Sequence, residues 1–168
     1  PGRIPAGLVS EQMTNTTDIF ATLASVVGYK LADEVAVDSY DMLPVMLGMQ
    51  KDTESVRPHM LTQSFRAQFQ LRQGSWKYLD HTGSGGNKYS NRLLEKYALK
   101  ETAPKSTGQL FDLANDPGET TNLFFKEAAK RAAMQKLLAT LVRKDGGRSA
   151  PTNREPLGIE RIPRLDKR

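Results

Sequence analysis

The sequence predicts a mixed α and β fold, α/β in class and α+β within these residues, in which a small sheet is followed by a terminal helix. Three stretches carry that prediction. Phe65, Ala67, Phe69 and Leu71 alternate with Arg66, Gln68, Gln70 and Arg72, the period of two expected of a strand with one buried face. The segment from Gln109 to Leu113 then runs into Asn115-Asp116-Pro117-Gly118. Pro117 has no N–H and holds its own φ, so the strand must stop there, and Gly118 is the expected site of permissive backbone. Met134, Leu137, Leu138, Leu141 and Val142 finally recur at helical spacing.

Taken in order, Pro1 to Gly7 is a Pro/Gly-rich loop. Asn15-Thr16-Thr17-Asp18 offers an N-cap for a helix through about Val27, closed by Gly28 at the C′ position. Ile19, Phe20, Leu23, Val26 and Val27 form its apolar stripe, which is expected to face a core. Tyr29 to Pro58 reads as a long loop with one helical turn ending near Gly48. Its carboxylates Asp38 and Asp41 read as turn and cap residues rather than metal ligands. Met60 to Leu79 is the clearest β region. A two-residue turn at Gln73-Gly74 would set Leu71 opposite Trp76 and Phe69 opposite Tyr78, with both aromatics in the core.

Residues 81–92 form a glycine-rich excursion too long for a hairpin loop, followed by a short helical piece near Leu93 to Leu99. The last helix is expected from about Phe124 to Lys144, ended by Gly146-Gly147. This divides the chain into residues 1–58, 59–147 and a tail at 148–168, extended or disordered, whose three prolines carry no periodicity. The net charge of +5 is concentrated there, since residues 143–168 alone carry +4. A basic terminal segment of this kind reads as a solvated end. Hydrophobic content of 38% without a long apolar run excludes a membrane-spanning helix from these residues.

Catalytic chemistry is sparse. The chain has no Cys, which excludes disulfides, thiolate metal sites and Cys nucleophiles within it. His59 and His81 are its two histidines, with no His-x-x-x-His or Glu-x-x-His spacing, so no metal site is expected. No Gly-x-Ser-x-Gly, Ser-x-x-Lys or phosphate-binding glycine loop occurs. His59 reads as structural or exposed. His81, beside Asp80 at the mouth of the long excursion, is the better functional candidate.

With the segments in order, the chain resembles the C-terminal part of a type I sulfatase of the alkaline-phosphatase superfamily. Pro1 to Gly7 is similar to that family's Trp-Pro-Gly-x-Ile-x-x-Gly connection, entered after its Trp. Thr17-Asp18-Ile19-Phe20-Ala21-Thr22-Leu23 is similar to its Thr-Asp-Ile/Leu-x-Pro-Thr-Leu helix, with Ala21 in place of Pro. Asp38 to Pro44 resembles the loop that follows, and Gly74-Ser75-Trp76-Lys77-Tyr78 resembles a Gly-x-x-Lys strand. Gln109 to Leu123 matches Glu-Leu-Tyr-Asp-Leu-x-x-Asp-Pro-x-Glu-x-x-Asn-Leu almost throughout.

The resemblance implies a C-terminal subdomain with an antiparallel sheet of about four strands packed by the terminal helix, attached to a larger α/β domain. For the intact protein it implies hydrolysis of sulfate monoesters by a formylglycine with Ca²⁺, on a sulfated small molecule or glycan, in the periplasm or outside the cell. The family's nucleophile motif, Cys or Ser-x-Pro-x-Arg, is absent here, because in Ser149-Ala150-Pro151-Thr152-Asn153-Arg154 the Arg falls one residue late. The expectation is therefore a portion without catalytic residues, metal ligands or cofactor, inactive alone, whose sheet exposes an edge or apolar face that the large domain would cover. His81, Lys88, Tyr89 and Arg92 are the candidate substrate-binding residues, as cationic and stacking groups suited to an anionic sugar. Alternatives are a phosphodiesterase or phosphonate hydrolase of the same superfamily, and a polyanion-binding module using the tail, although no basic-aromatic face supports nucleic-acid binding. No membrane partner is expected.

Overall fold

The computed structural model describes residues 2–64, 66–83, 95–143, 155–162 and 164. The chain divides into two compact units, Pro1–Pro58 with Gly146–Arg168, and His59–Asp145.

The first unit is built on helix α1, Asp18–Val26, and the short α2, Leu43–Met46. Gly28 closes α1 at φ 75°, and the Tyr29 N–H reaches back to the Ala24 carbonyl at 2.8 Å, the reversal that a C′ glycine permits. The apolar stripe expected to face a core does not: Ile19, Phe20, Leu23 and Val27 are exposed, while Asp18, Ala21 and Ser25 are buried. Polar contacts win this side. The Ala21 N–H donates to Ser39 Oγ at 2.8 Å, the Met42 N–H to Thr22 Oγ1 at 3.0 Å and the Tyr40 N–H to Asp18 Oδ1 at 3.0 Å. Asp41 Oδ1 accepts the Leu43 N–H at 2.8 Å at the start of α2, the turn role anticipated for it.

Residues 155–162, expected in an extended or disordered tail, instead return to α1. The Leu157 N–H donates to Ser25 Oγ at 3.0 Å and the Gly158 N–H to the Ser25 carbonyl at 2.8 Å, ahead of a 3-10 turn at Ile159–Arg161. Gly158 takes φ 64°, and a Cβ there would come within 3.6 Å of the Gly28 Cα, so the two backbones pass close to one another. Composition hid this, because the segment is held by backbone donors rather than by a periodic apolar stripe.

The second unit is a four-stranded antiparallel sheet in the order β1-β2-β3-β4, comprising Met60–Gln63, Phe69–Gln73, Trp76–Leu79 and Gln109–Asp112. The alternation read as one strand from Phe65 is broken by a turn. The Ser64 N–H donates to the Gln68 carbonyl and Ala67 adopts φ 57°, so β1 and β2 form a hairpin. The next turn is Gly74-Ser75 rather than Gln73-Gly74, because the left-handed backbone at Gly74, φ 57°, sits first in the two-residue loop. Leu71 therefore faces Tyr78 rather than Trp76. The slip changes the partner but preserves the face, since the pairing sum moves by two.

Helix α3, Ala128–Val142, starts four residues later than expected and lays Met134, Leu138 and Leu141 on Leu71, Tyr78 and Leu110 of the sheet. Leu61, Phe69 and Trp76 pack at the margin of this core, so Trp76 and Tyr78 serve packing. Each buried aliphatic side chain here contributes about 1.5–3 kcal/mol. Val142, expected in the stripe, is exposed. On the opposite face of the sheet Leu79, Gln109 and Phe111 are also fully buried.

Candidate functional site

β3 ends at Leu79, and the two residues that follow form a dyad. His81 Nδ1 lies 2.9 Å from Asp80 Oδ1, and the same oxygen accepts the Phe69 N–H at 2.9 Å. A carboxylate only accepts, so Nδ1 carries the proton of this contact and Nε2 holds the lone pair of the neutral ring. Asp80 is thereby tied to the end of β2 while it orients His81 at the entrance to the glycine-rich excursion. The sequence singled out His81 and left the role of Asp80 open; their adjacency was the available signal. Lys88, Tyr89 and Arg92, the other three candidates, lie outside the described residues.

The segment from Gln109 to Leu123 supports this sheet from its other edge. Asn122, buried, is its central tie: Oδ1 accepts the N–H groups of Leu110 and Phe124, each at 3.0 Å. Its Nδ2 donates to Glu101 Oε1 at 3.0 Å, to Ser106 Oγ and to the Gly108 carbonyl. Glu101 also accepts the Ala103 N–H and Gln109 Nε2, each at 2.8 Å. Burial opposes ionisation of Glu101, but these donors outweigh it and hold the carboxyl below its ordinary value.

In the turn, Asp116 accepts the N–H groups of Thr120 and Thr121 at 3.0 and 2.8 Å. The Thr120 backbone donor is the leading reason its carboxyl is lowered, and burial only partly opposes it. The left-handed residue is Glu119 at φ 55°, not Gly118. That conformation places the Glu119 carboxylate 2.6 and 2.8 Å from Lys77 Nζ, in a pair whose side chains are only 14% and 18% exposed.

A comparable tie occurs in the first unit. Arg57 and Asp18 form an ion pair with side chains 6% and 3% exposed, and Arg57 also donates to the Asp38 carbonyl at 2.8 Å and lies 4.4 Å from the centre of the Tyr40 ring. The sequence treated Asp18 as a cap residue and Lys77 and Glu119 as unrelated positions. Pairing across 39 and 42 residues has no local signal. Lys77 and Glu119 do, however, each belong to one of the stretches that carry the family resemblance, Gly74–Tyr78 and Gln109–Leu123, as Asp18 belongs to Thr17–Leu23. The residues that mark the chain are thus its structural ties.

No group of three or more His, Cys, Asp or Glu that could hold a metal ion occurs among the described residues. The described residues thus offer no donor set for Ca²⁺, and the sequence, without Cys and without a Cys or Ser-x-Pro-x-Arg stretch, offers no motif for a formylglycine.

No family model matches the chain. It is 30% identical over 106 residues to an N-acetylgalactosamine-6-O-sulfatase of Bacteroides thetaiotaomicron, covering 63% of this chain and 19% of that protein. It is also 30% identical over 130 residues to arylsulfatase A of Homo sapiens, covering 73% of this chain and 24% of that protein. A protein solved in complex with D-glucosamine-2-N,6-O-disulfate as its substrate shares the fold, with a TM-score of 0.55 and 18% identity over 81% of this chain and 25% of that one. The chain thus spans about a quarter or less of the length of the relatives it matches. By its sequence the chain is a relative of the sulfatases and corresponds to their C-terminal part.

Proposed function

We propose that this chain is the C-terminal part of an enzyme that hydrolyses sulfate monoesters, where it supplies scaffold and one edge of the substrate pocket. The 30% identity to arylsulfatase A across 73% of the chain carries this reading. The nucleophile and its metal ion are assigned to another part of the protein, because the sequence here lacks the nucleophile motif and the described residues lack a set of metal ligands. Within this chain the His81–Asp80 dyad is the group best suited to meet substrate. Asp80 holds the ring through Nδ1 and leaves Nε2 to accept from a sugar hydroxyl or, when protonated, to donate to an anionic oxygen. Lys88, Tyr89 and Arg92, which follow in the sequence, are the further residues proposed to contact a sulfated sugar or aryl sulfate.

The coding sequence upstream of Pro1 tests the reading directly: a Cys or Ser-x-Pro-x-Arg stretch is expected, and an upstream domain without it sinks the assignment. In the complete enzyme, His81→Ala should raise KM for a 6-sulfated N-acetylgalactosamine roughly tenfold, the scale of one charge-assisted hydrogen bond, with a smaller effect on kcat. An unchanged KM removes His81 from the pocket.

A further inference from the structure

Residues 155–162 are held at the end of α1 by a small and mostly polar set of contacts. The Leu157 N–H donates to Ser25 Oγ at 3.0 Å, the Gly158 N–H to the Ser25 carbonyl at 2.8 Å, and Arg3 Nε to the Ile162 carbonyl at 3.1 Å. Lys30 pairs with Glu155, but with side chains 64% and 73% exposed that contact adds little. Gly158 is the one buried residue of the segment, which therefore brings no large apolar side chain into a core. A segment fastened in this way opens at a lower free energy than the helix that it covers.

Ser25, 3% exposed, joins this segment to Asp41. A hydroxyl has one proton to give and lone pairs with which to accept. Ser25 Oγ takes the Leu157 N–H and hydrogen-bonds the Asp41 carboxyl, whose Oδ1 also accepts the Leu43 N–H at the start of α2. Burial, the largest influence on Asp41, pushes its carboxyl above the ordinary value, and the Ser25 and Leu43 donors offset that only in part. Other charged groups do not set this balance. Asp18 and Arg57 are paired with one another, and Arg57 also meets the Asp38 carbonyl and the Tyr40 ring. The segment itself carries Glu155, paired with Lys30, and Glu160 and Arg161. None of these is among the causes of the Asp41 shift.

We propose that residues 155–162 form an acid-favoured strap, which closes on α1 more tightly when Asp41 is protonated and loosens when it is ionised, with Ser25 linking the two. Opening admits water to Ser25 and Asp41, so the carboxyl ionises more readily in the open form. By linkage, rising pH then favours opening. The Lys30–Glu155 pair acts in the opposite direction, since acid removes the Glu155 charge, and so the two influences are separable by sign.

Amide hydrogen exchange in the full 168-residue chain, corrected for its intrinsic pH dependence, tests the strap. Relative to the amides of α1, protection of Leu157 and Gly158 should fall about threefold or more as pH rises from 3.8 to about 6.5. Asp41→Asn, neutral and of the same shape, should keep its acid level of protection throughout, whereas Glu155→Gln should leave the fall intact. Protection that stays level or rises with pH overturns the proposal, as does a fall that persists in Asp41→Asn. Exchange of Leu157 and Gly158 only together with α1 overturns the strap as a separately opening device. Where Asp41→Asn does not fold, Gly158→Val decides, because a β-branched residue at φ 64° forces the strap open. The Asp41 carboxyl, followed by NMR, should then move down toward 3.8, and an unmoved carboxyl refutes the coupling.

Discussion

Asp18 stands at the first turn of a helix, where an acidic residue usually serves the helix dipole, yet its oxygens accept from Arg57, the Asn15 N–H and the Tyr40 N–H. Removing it leaves a buried cation without a counterion. Asp18→Ala should therefore destabilise the first unit by about 3–5 kcal/mol, read from urea unfolding, whereas replacing Asp18 and Arg57 together by apolar residues should cost much less. A loss under 1 kcal/mol, within the range of about 0–1 kcal/mol for surface pairs, would show that the pair is solvated. Glu101 gives the second unit a pH dependence of definite sign. Its folded carboxyl lies below the ordinary 4.5, so its contribution is complete above that pH and is lost as pH falls through the lowered value. Asp112 and Asp116, also lowered, act in the same direction. The urea midpoint should fall between pH 7 and about pH 3, and Glu101→Gln should make the fall shallower; an identical slope in that variant refutes the role. Asp41 works oppositely: burial raises its carboxyl, so its contribution weakens as pH rises from 3.8 through the raised value.

At the scale of elements, the sheet and α3 follow pattern while the connections follow contact. α3 is rich in Ala, and it is fastened by three buried side chains and by Gln135 Nε2, which donates to the Tyr78 hydroxyl at 3.2 Å. β4 enters through Gly108, where a Cβ would lie 2.4 Å from the Leu79 carbonyl oxygen and 3.2 Å from the Phe124 ring. The backbone can approach β3 this closely only without a side chain. Gly108→Ala should cost about 1–3 kcal/mol through overpacking and shift the amide resonances of Leu79 and Phe124. A neutral substitution there would mean that β4 can move away from β3 at no cost.

For the whole molecule, the described residues supply ties within each unit and no group of side chains that could hold a metal ion. The isolated chain is expected to show no turnover of p-nitrophenyl sulfate at any pH, with or without Ca²⁺, because neither a formylglycine precursor in its motif nor a set of metal ligands is among its described residues. Measurable, purification-independent hydrolysis would refute its role as scaffold. Apolar surface should accompany this inactivity. The sequence reading expected the sheet to expose an edge or an apolar face; the exposed Ile19, Phe20 and Leu23 lie instead on α1, whose polar side is committed to Ser39, Arg57 and Ser25.

Local chemistry was legible from the sequence wherever it acts over a few residues. The glycine closing α1, the alternation of β2 and β3 and the stripe of α3 each depend on neighbours within one or two turns, whereas β4 ends at Asp112, ahead of Pro117, where the Asn115 and Asp116 N–H groups turn back to the Asp112 carbonyl. The family relationship was legible for the same reason, since its marks are short stretches in a fixed order. Of the candidate site, His81 was visible, but the proton assignment that Asp80 imposes on its ring was not. Tertiary structure alone decided which residue answers which: Lys77 with Glu119, Arg57 with Asp18, Asn122 with both strand β4 and Glu101, and residues 155–162 with the end of α1. It also decided which side of α1 is buried. A hydrophobic stripe predicts burial only when nothing stronger competes for the inward side, and here a buried ion pair and a set of backbone donors that would otherwise go unsatisfied hold that side.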